Sequence, residues 1–171
     1  MMAKSHVAVS LAACTLAAVA AARYAPGTPL DTGAAEVVSG ALIGALVPDM
    51  DTDSSVLGRI VKLPGKHRTW THAIWIPAVL GYLAWRTGSG LAAMACAGWL
   101  AHIGADWLSR GGVCLLWPLT RYLDETDGYT YHVAPGHRPK LYYTGKPSEY
   151  VTAAVLTVAM AAAAAHIQSL L

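Results

Sequence analysis

The stretch Leu91-Ala-Ala-Met-Ala-Cys-Ala-Gly-Trp-Leu-Ala-His102-Ile-Gly-Ala-Asp106-Trp-Leu108 reads as an apolar helix that ends in a histidine and an aspartate. Alanine and leucine dominate it, so helix is favoured over strand. His102 and Asp106 stand at i and i+4, on one helix face. One turn apart, an imidazole and a carboxylate can clasp one cation, or the carboxylate can bridge two. The same pair can equally form a hydrogen bond that only ties helices together. Near hydrocarbon both groups are costly unless paired, hydrated or bound to a cation.

Four further apolar stretches flank this one: Ser5 to Ala22, Gly33 to Val47, Trp70 to Trp85 and Tyr150 to Leu171. Breakers separate them at Pro26-Gly27, Pro48, Pro64-Gly65, Gly111-Gly112, Pro135-Gly136 and Pro147. Of the 171 residues, 55% are hydrophobic and 13% charged, about half the ~25% charge of a soluble domain. Mean hydropathy is +0.42. The prediction is an all-α, polytopic membrane bundle of four to five apolar helices, forming a single domain over 1–171. Loops 48–69 and 109–148 lie on its site side. A span needs ~20 apolar residues, and the second stretch is short and carries Glu36. It reads as a short span, a half-buried helix or a re-entrant one. The many alanines and glycines suit close helix contact in lipid.

Charge follows the same threading. If all five stretches cross, ten Lys and Arg residues fall on the side of the N-terminus and the two large loops: Lys4, Arg59, Lys62, Lys66, Arg68, Arg110, Arg121, Arg138, Lys140 and Lys146. Only Arg23 and Arg86 fall on the other. That asymmetry predicts a multi-pass plasma-membrane (inner-membrane) protein whose large loops face the cytoplasm. A competing reading takes Lys4 and the following apolar run as a secretory signal, with Leu11 to Cys14 imitating a lipoprotein cleavage box. Cys14, Cys96 and Cys114 form no C-x-x-C pair, which argues against a disulfide framework. A net charge of +2 without basic-aromatic interleaving gives no reason to expect nucleic acid.

The threading also brings seven polar residues to one end of the bundle: His6, Asp49, Asp51, His67, His72, His102 and Asp106. In Pro48-Asp49-Met50-Asp51-Thr52-Asp53 the proline stops a helix and alternating acids follow. Extended geometry would point alternate carboxylates the same way, where they repel unless a cation joins them. The EF-hand spacing is absent, and a solvated acidic turn is the plain alternative. In His67-Arg68-Thr69-Trp70-Thr71-His72 the two histidines make sense with one in the loop and one in the first helical turn; two surface histidines are the alternative. His6 gains weight only from the other motifs. His132 and His137 flank Pro135-Gly136, and His166 sits at the far end of the last stretch as a structural residue. Gly111 to Pro118 reads as an interfacial or re-entrant turn.

Mixed His and Asp donors without cysteine fit one or two divalent transition metals, zinc first, manganese or iron next. His6, Asp49, His67, His72, His102 and Asp106 are the candidate ligands. Asp51 is the candidate base or a further ligand, and Arg68 the candidate phosphate clamp. No Gly-x-Ser-x-Gly elbow or Walker loop is present, which removes serine-hydrolase and nucleotide-motor readings.

In order and spacing the motifs resemble the YdjM-type family of inner-membrane, metal-dependent hydrolases. The matching pieces are His6, Pro48 to Asp51, Ser55 to Arg59, His67-Arg68 with Thr71-His72, His102 to Asp106, Gly112 to Pro118, and Tyr143-Thr144-Gly145 with Glu149. The family usually has glycine where Thr69 stands and serine where Ala73 stands. The ligand set is also similar to that of zinc-dependent phospholipase C and related single-strand nucleases. These resemblances imply metal-assisted hydrolysis of a phosphoester, such as a lipid headgroup, with membrane lipids as partners. A membrane transporter or metal-handling protein is the second expectation, and a non-catalytic membrane scaffold the third. A transporter predicts polar groups along a path through the bilayer; here Glu36 and His166 are the main ones away from the site end.

Overall fold

The structure is a computed structural model that describes residues 1–26, 32–65, 67–119, 122–124, 130–131 and 141–170. Among these, five α-helices form the body: α1 (Ala3–Tyr24), α2 (Ala34–Leu46), α3 (Trp75–Arg86), α4 (Gly90–Trp107) and α5 (Pro147–Gln168). Two short 3-10 turns, Pro48–Asp51 and Trp70–His72, lie between α2 and α3. Among the described residues, a small antiparallel pair, β1 (Tyr122–Asp124) with β2 (Thr130–Tyr131), and an isolated Ser109–Tyr142 bridge accompany the helices. Lys66, Arg121, His132, Pro135, Gly136, His137, Arg138 and Lys140 lie outside the described residues.

Helix boundaries follow local chemistry. Pro48 cannot continue α2 and opens the first 3-10 turn instead. Pro147 opens α5, where its missing N–H costs nothing. Between α3 and α4, Gly88 takes φ 74° while Gly88 N–H and Ser89 N–H donate to Trp85 and Ala84 carbonyls. That is a glycine-dependent helix stop, since a side chain strains at this φ. The third apolar stretch was expected from Trp70, yet α3 starts at Trp75. Pro77 is tolerated only in a first turn, and the Ile74 N–H donates to Leu115 O rather than backwards.

At ~1.5 Å per residue, α1 and α5 reach about 33 Å, α4 about 27 Å, and α2 and α3 only about 20 and 18 Å. Two helices, α1 and α5, are therefore long and apolar enough to cross a membrane. Helix α4 is the central element; it packs on α1, α2 and α3, while α5 packs on α1. The α2–α4 contact is backbone to backbone. A Cβ at Gly40 would run into Met94 and Ala95, and one at Gly44 into Ala95, Gly98 and Trp99. Glycines four apart on α2, facing Gly98 on α4, allow this approach.

Polarity is inverted relative to a water-soluble bundle. Val38, Leu42, Val79, Leu83, Val155 and Val158 are exposed on the helix flanks. His6, Ser10, Thr71, His72, His102, Asp106 and Glu149 are buried. Apolar flanks around a polar interior suit a lipid surround, where polar groups must be satisfied internally. The N-terminal ends of α1 and α5, the C-terminal ends of α2 and α4, and both 3-10 turns meet at one end of the bundle. Arg23 and Arg86 close α1 and α3 at the other.

Candidate metal centre

Each wall of the site comes from a chain segment that arrives for its own local reason. His6 sits in the second turn of α1 and presents its ring flat against His102, centroids 3.6 Å apart. Pro48 turns the chain after α2, so that Asp49 enters the site while Asp51 turns behind it. The Trp70–His72 turn buries His72, and α4 delivers His102 and Asp106 from one face.

The cluster is tight. His102 Nε2 lies 3.4 Å from Asp49 Oδ1 and 4.0 Å from Asp106 Oδ2. His72 Nε2 lies 3.6 Å from Asp49 Oδ1 and 3.7 Å from Asp106 Oδ2. One ligand atom from each of Asp49, His72, His102 and Asp106 falls within 4.8 Å of the other three. His6 Nε2 reaches Asp106 Oδ1 at 3.3 Å, beside that set and outside it. A second set joins Asp49, Asp51 and His67.

Hydrogen bonds behind the cluster aim it. His102 Nδ1 pairs with the Ala45 carbonyl at 2.8 Å, which makes Nδ1 the protonated nitrogen and turns the Nε2 lone pair inward. The Thr71 hydroxyl donates to Asp51 Oδ2 at 2.5 Å, so its oxygen accepts from His72 Nδ1 at 2.9 Å. That also turns the His72 Nε2 lone pair inward. The Trp99 indole N–H holds the Thr71 carbonyl at 2.7 Å. Asp51 is fully engaged, with His67 Nδ1 at 2.6 Å on one oxygen and the Arg68 N–H at 3.1 Å on the other.

Some inner atoms lack hydrogen-bond partners. His72 Nε2, His102 Nε2 and His6 Nδ1 are buried without a hydrogen bond, while Asp106 Oδ2 is ion-paired with Arg68 and His6 Nε2 lies 3.3 Å from the other Asp106 oxygen. Buried polar groups are nearly always satisfied, so several converging orphans call for an ion or water. Neutral imidazoles and carboxylates are the donor set of a divalent transition metal, and the residues present therefore fit one.

Arg68 is the basic member. Its backbone is left-handed, φ 62°, a conformation unusual for a side-chain-bearing residue. The Arg68 N–H on Asp51 and the Cys114 N–H on Arg68 O hold it there. Its guanidinium meets Asp106 Oδ2 at 2.9 Å and Gly112 O at 3.3 Å. The Met1 ammonium contacts the other Asp106 oxygen.

Burial would raise the Asp49 carboxyl, but the neighbouring His102 outweighs it and holds Asp49 well below the usual carboxylate range. Burial likewise opposes ionisation of Asp51, and the hydrogen bond from His67 wins there. His72 is lowered from 6.5 to about 4, chiefly by burial, so its ring is neutral at pH 7.

Sequence reasoning gave no role to several residues that position the site, although Thr71 and Glu149 stood among the pieces that carry the family resemblance. Thr71 adjoins His72 and carries the signal of a hydroxyl beside a buried ring. Glu149, fully buried, accepts from the Ser5 hydroxyl, the Met2 N–H and the Gly145 N–H, and so ties α5 to the start of α1. The Tyr142 hydroxyl donates to Ala105 O and braces the last turn of α4. His166 lies in the last turn of α5, at the end opposite the site. The three cysteines are buried and free.

Fold and site together define a helical membrane protein with a His/Asp cluster able to hold a metal ion at one end of its bundle. The chain belongs to the YdjM inner membrane protein family, whose model matches residues 1–170. No curated protein and no solved structure matches it.

Proposed function

We propose that this chain is a multi-pass inner-membrane, metal-dependent hydrolase acting on a phosphoester such as a lipid headgroup. The supporting observation is the convergence of the His72 and His102 Nε2 nitrogens, which lack hydrogen bonds, with the carboxylates of Asp49 and Asp106. Asp49, His72, His102 and Asp106 hold the ion, zinc first among divalent metals, with His6 and His67 adjoining. Together with α1 and α5, α4 crosses the membrane; α2 and α3, being short, cross where the bilayer thins or rest against the longer helices. The ten-to-two basic asymmetry favours a cytoplasm-facing site.

A divalent ion at these donors supplies Lewis acidity and brings the pKa of water towards ~7. Arg68 lines the cavity beside Asp106 and meets the phosphoester's negative charge. His67 lines the same cavity with Asp51 behind its Nδ1, an arrangement suited to taking a proton from water. Asp51 thus works through His67. Water adds to phosphorus, the ester oxygen leaves as an alcohol, and the products are that alcohol and a phosphate.

Elemental analysis of detergent-purified wild type beside Asp106→Ala tests the centre. Wild type should carry transition metal and the variant should lose most of it; equal content in both would refute the ligand set. Turnover of phospholipid and generic phosphoesters, with and without chelator, then tests the chemistry.

A further inference from the structure

Loop 50–63 is built as a closed lip at the site end. The Leu63 N–H donates to Met50 O at 2.8 Å and joins its base. The Ile60 and Val61 N–H groups both donate to Leu57 O, forming a turn at the tip. Gly58 packs so close to Thr52 O that a side chain there would collide with it. Lys62 pairs with Asp53 at 2.7 Å across the lip.

This ordered lip turns branched aliphatic side chains outward. Val56 is 61% exposed, Ile60 78% and Val61 55%. Arg59 and Lys62 are exposed among them, and Lys4 is exposed on the neighbouring first turn of α1. Other exposed apolar residues lie at the same end, including Trp75, Leu116 and Leu119. Behind the lip is a cavity of about 360 Å³. Val56 and Leu57 form its outer wall and Asp49, His67 and Arg68 its inner one.

We propose that this lip rests in the headgroup layer of the anionic leaflet on the site side, and that a lipid phosphoester enters the cavity sideways beneath it. The inference rests on the hydrolase reading above. Aliphatic residues interleaved with basic ones are the composition of interfacial segments. Arg59 and Lys62 outnumber the exposed Asp53 on the lip, and this basic excess complements lipid phosphates. The lip shares one cavity with Asp49, His67 and Arg68, so a headgroup seated under Val56 reaches the Asp49 side of the ion site.

An environment-sensitive fluorophore on Ile60→Cys tests the placement in nanodiscs containing phosphatidylglycerol; the three native cysteines are buried. Headgroup-proximal spin-labelled lipid should quench this probe strongly and aqueous iodide weakly. The same fluorophore on free cysteine in solution sets the aqueous reference and should show the reverse. Neutralising both charges (Arg59→Gln with Lys62→Gln) should shift the inserted-to-free ratio by about fivefold per residue on phosphatidylglycerol and little on phosphatidylcholine. Metal content is measured on the same samples. Iodide quenching at Ile60 equal to that of the free adduct, with metal retained, would overturn the lip while leaving the hydrolase reading intact. A lipid-buried Ile60 in protein devoid of metal would support the lip and sink the hydrolase.

Discussion

Replacing Thr71 with valine preserves side-chain shape and deletes one hydroxyl. That hydroxyl donates to Asp51 and accepts from His72 Nδ1, and Thr71 is fully buried. Without it the His72 N–H has no acceptor at that position, a deficit of about 1–3 kcal/mol for a buried polar group. The ring is also released from the rotamer that aims Nε2 at Asp49 and Asp106. Groups behind metal-binding histidines typically change affinity by about 10–100-fold. The expected result is a zinc Kd raised by about that factor, read by competition with a chromophoric chelator in detergent. Thr71→Ser, which keeps the oxygen, should recover most of the affinity. Helical content by circular dichroism separates lost aim from lost fold. A folded valine variant that binds zinc within about threefold of wild type would refute the claim that Thr71 orients His72.

His166→Ala, at the far end of α5, should leave metal content unchanged and stability within about 0.5 kcal/mol, as judged by thermal melting. Gly44→Leu should destabilise the bundle by about 3 kcal/mol or more, because the new side chain meets α4 backbone; loss of monodisperse protein on size exclusion would report it. His72 has a folded pKa near 4 against 6.5, so the unfolded chain binds more protons between these values. Its contribution to the metal-free fold is complete above pH 6.5 and is lost as pH falls towards 4. Melts of chelated protein should show that decline, and His72→Gln should flatten it.

Much of the helical layout was legible because Ala- and Leu-rich runs and proline stops act locally. Helices α1, α2, α4 and α5 start and end within a few residues of the stretches read from composition. The start of α3 was misplaced although Pro77 carried the signal, since a proline seven residues inside a helix is not tolerated. The ligand types were legible because His and Asp are conspicuous in apolar surroundings. Thr71, Tyr142 and the glycine seam between α2 and α4 were less so, because hydroxyls and glycines are ordinary in helical membrane chains.

Residue chemistry alone determined that this chain forms apolar helices and that its imidazoles and carboxylates collect at helix ends. Burial cost drives the first, and the expense of charge in hydrocarbon drives the second. Only the tertiary structure decided which atoms converge. Gly40, Gly44 and Gly98 bring α2 and α4 into backbone contact, and that contact sets Asp49 beside His102. Hydrogen bonds donated to the Ala45 carbonyl and the Thr71 oxygen then choose which nitrogen of each ring faces the centre. Such choices depend on distances between segments remote in the chain, and no local pattern encodes them.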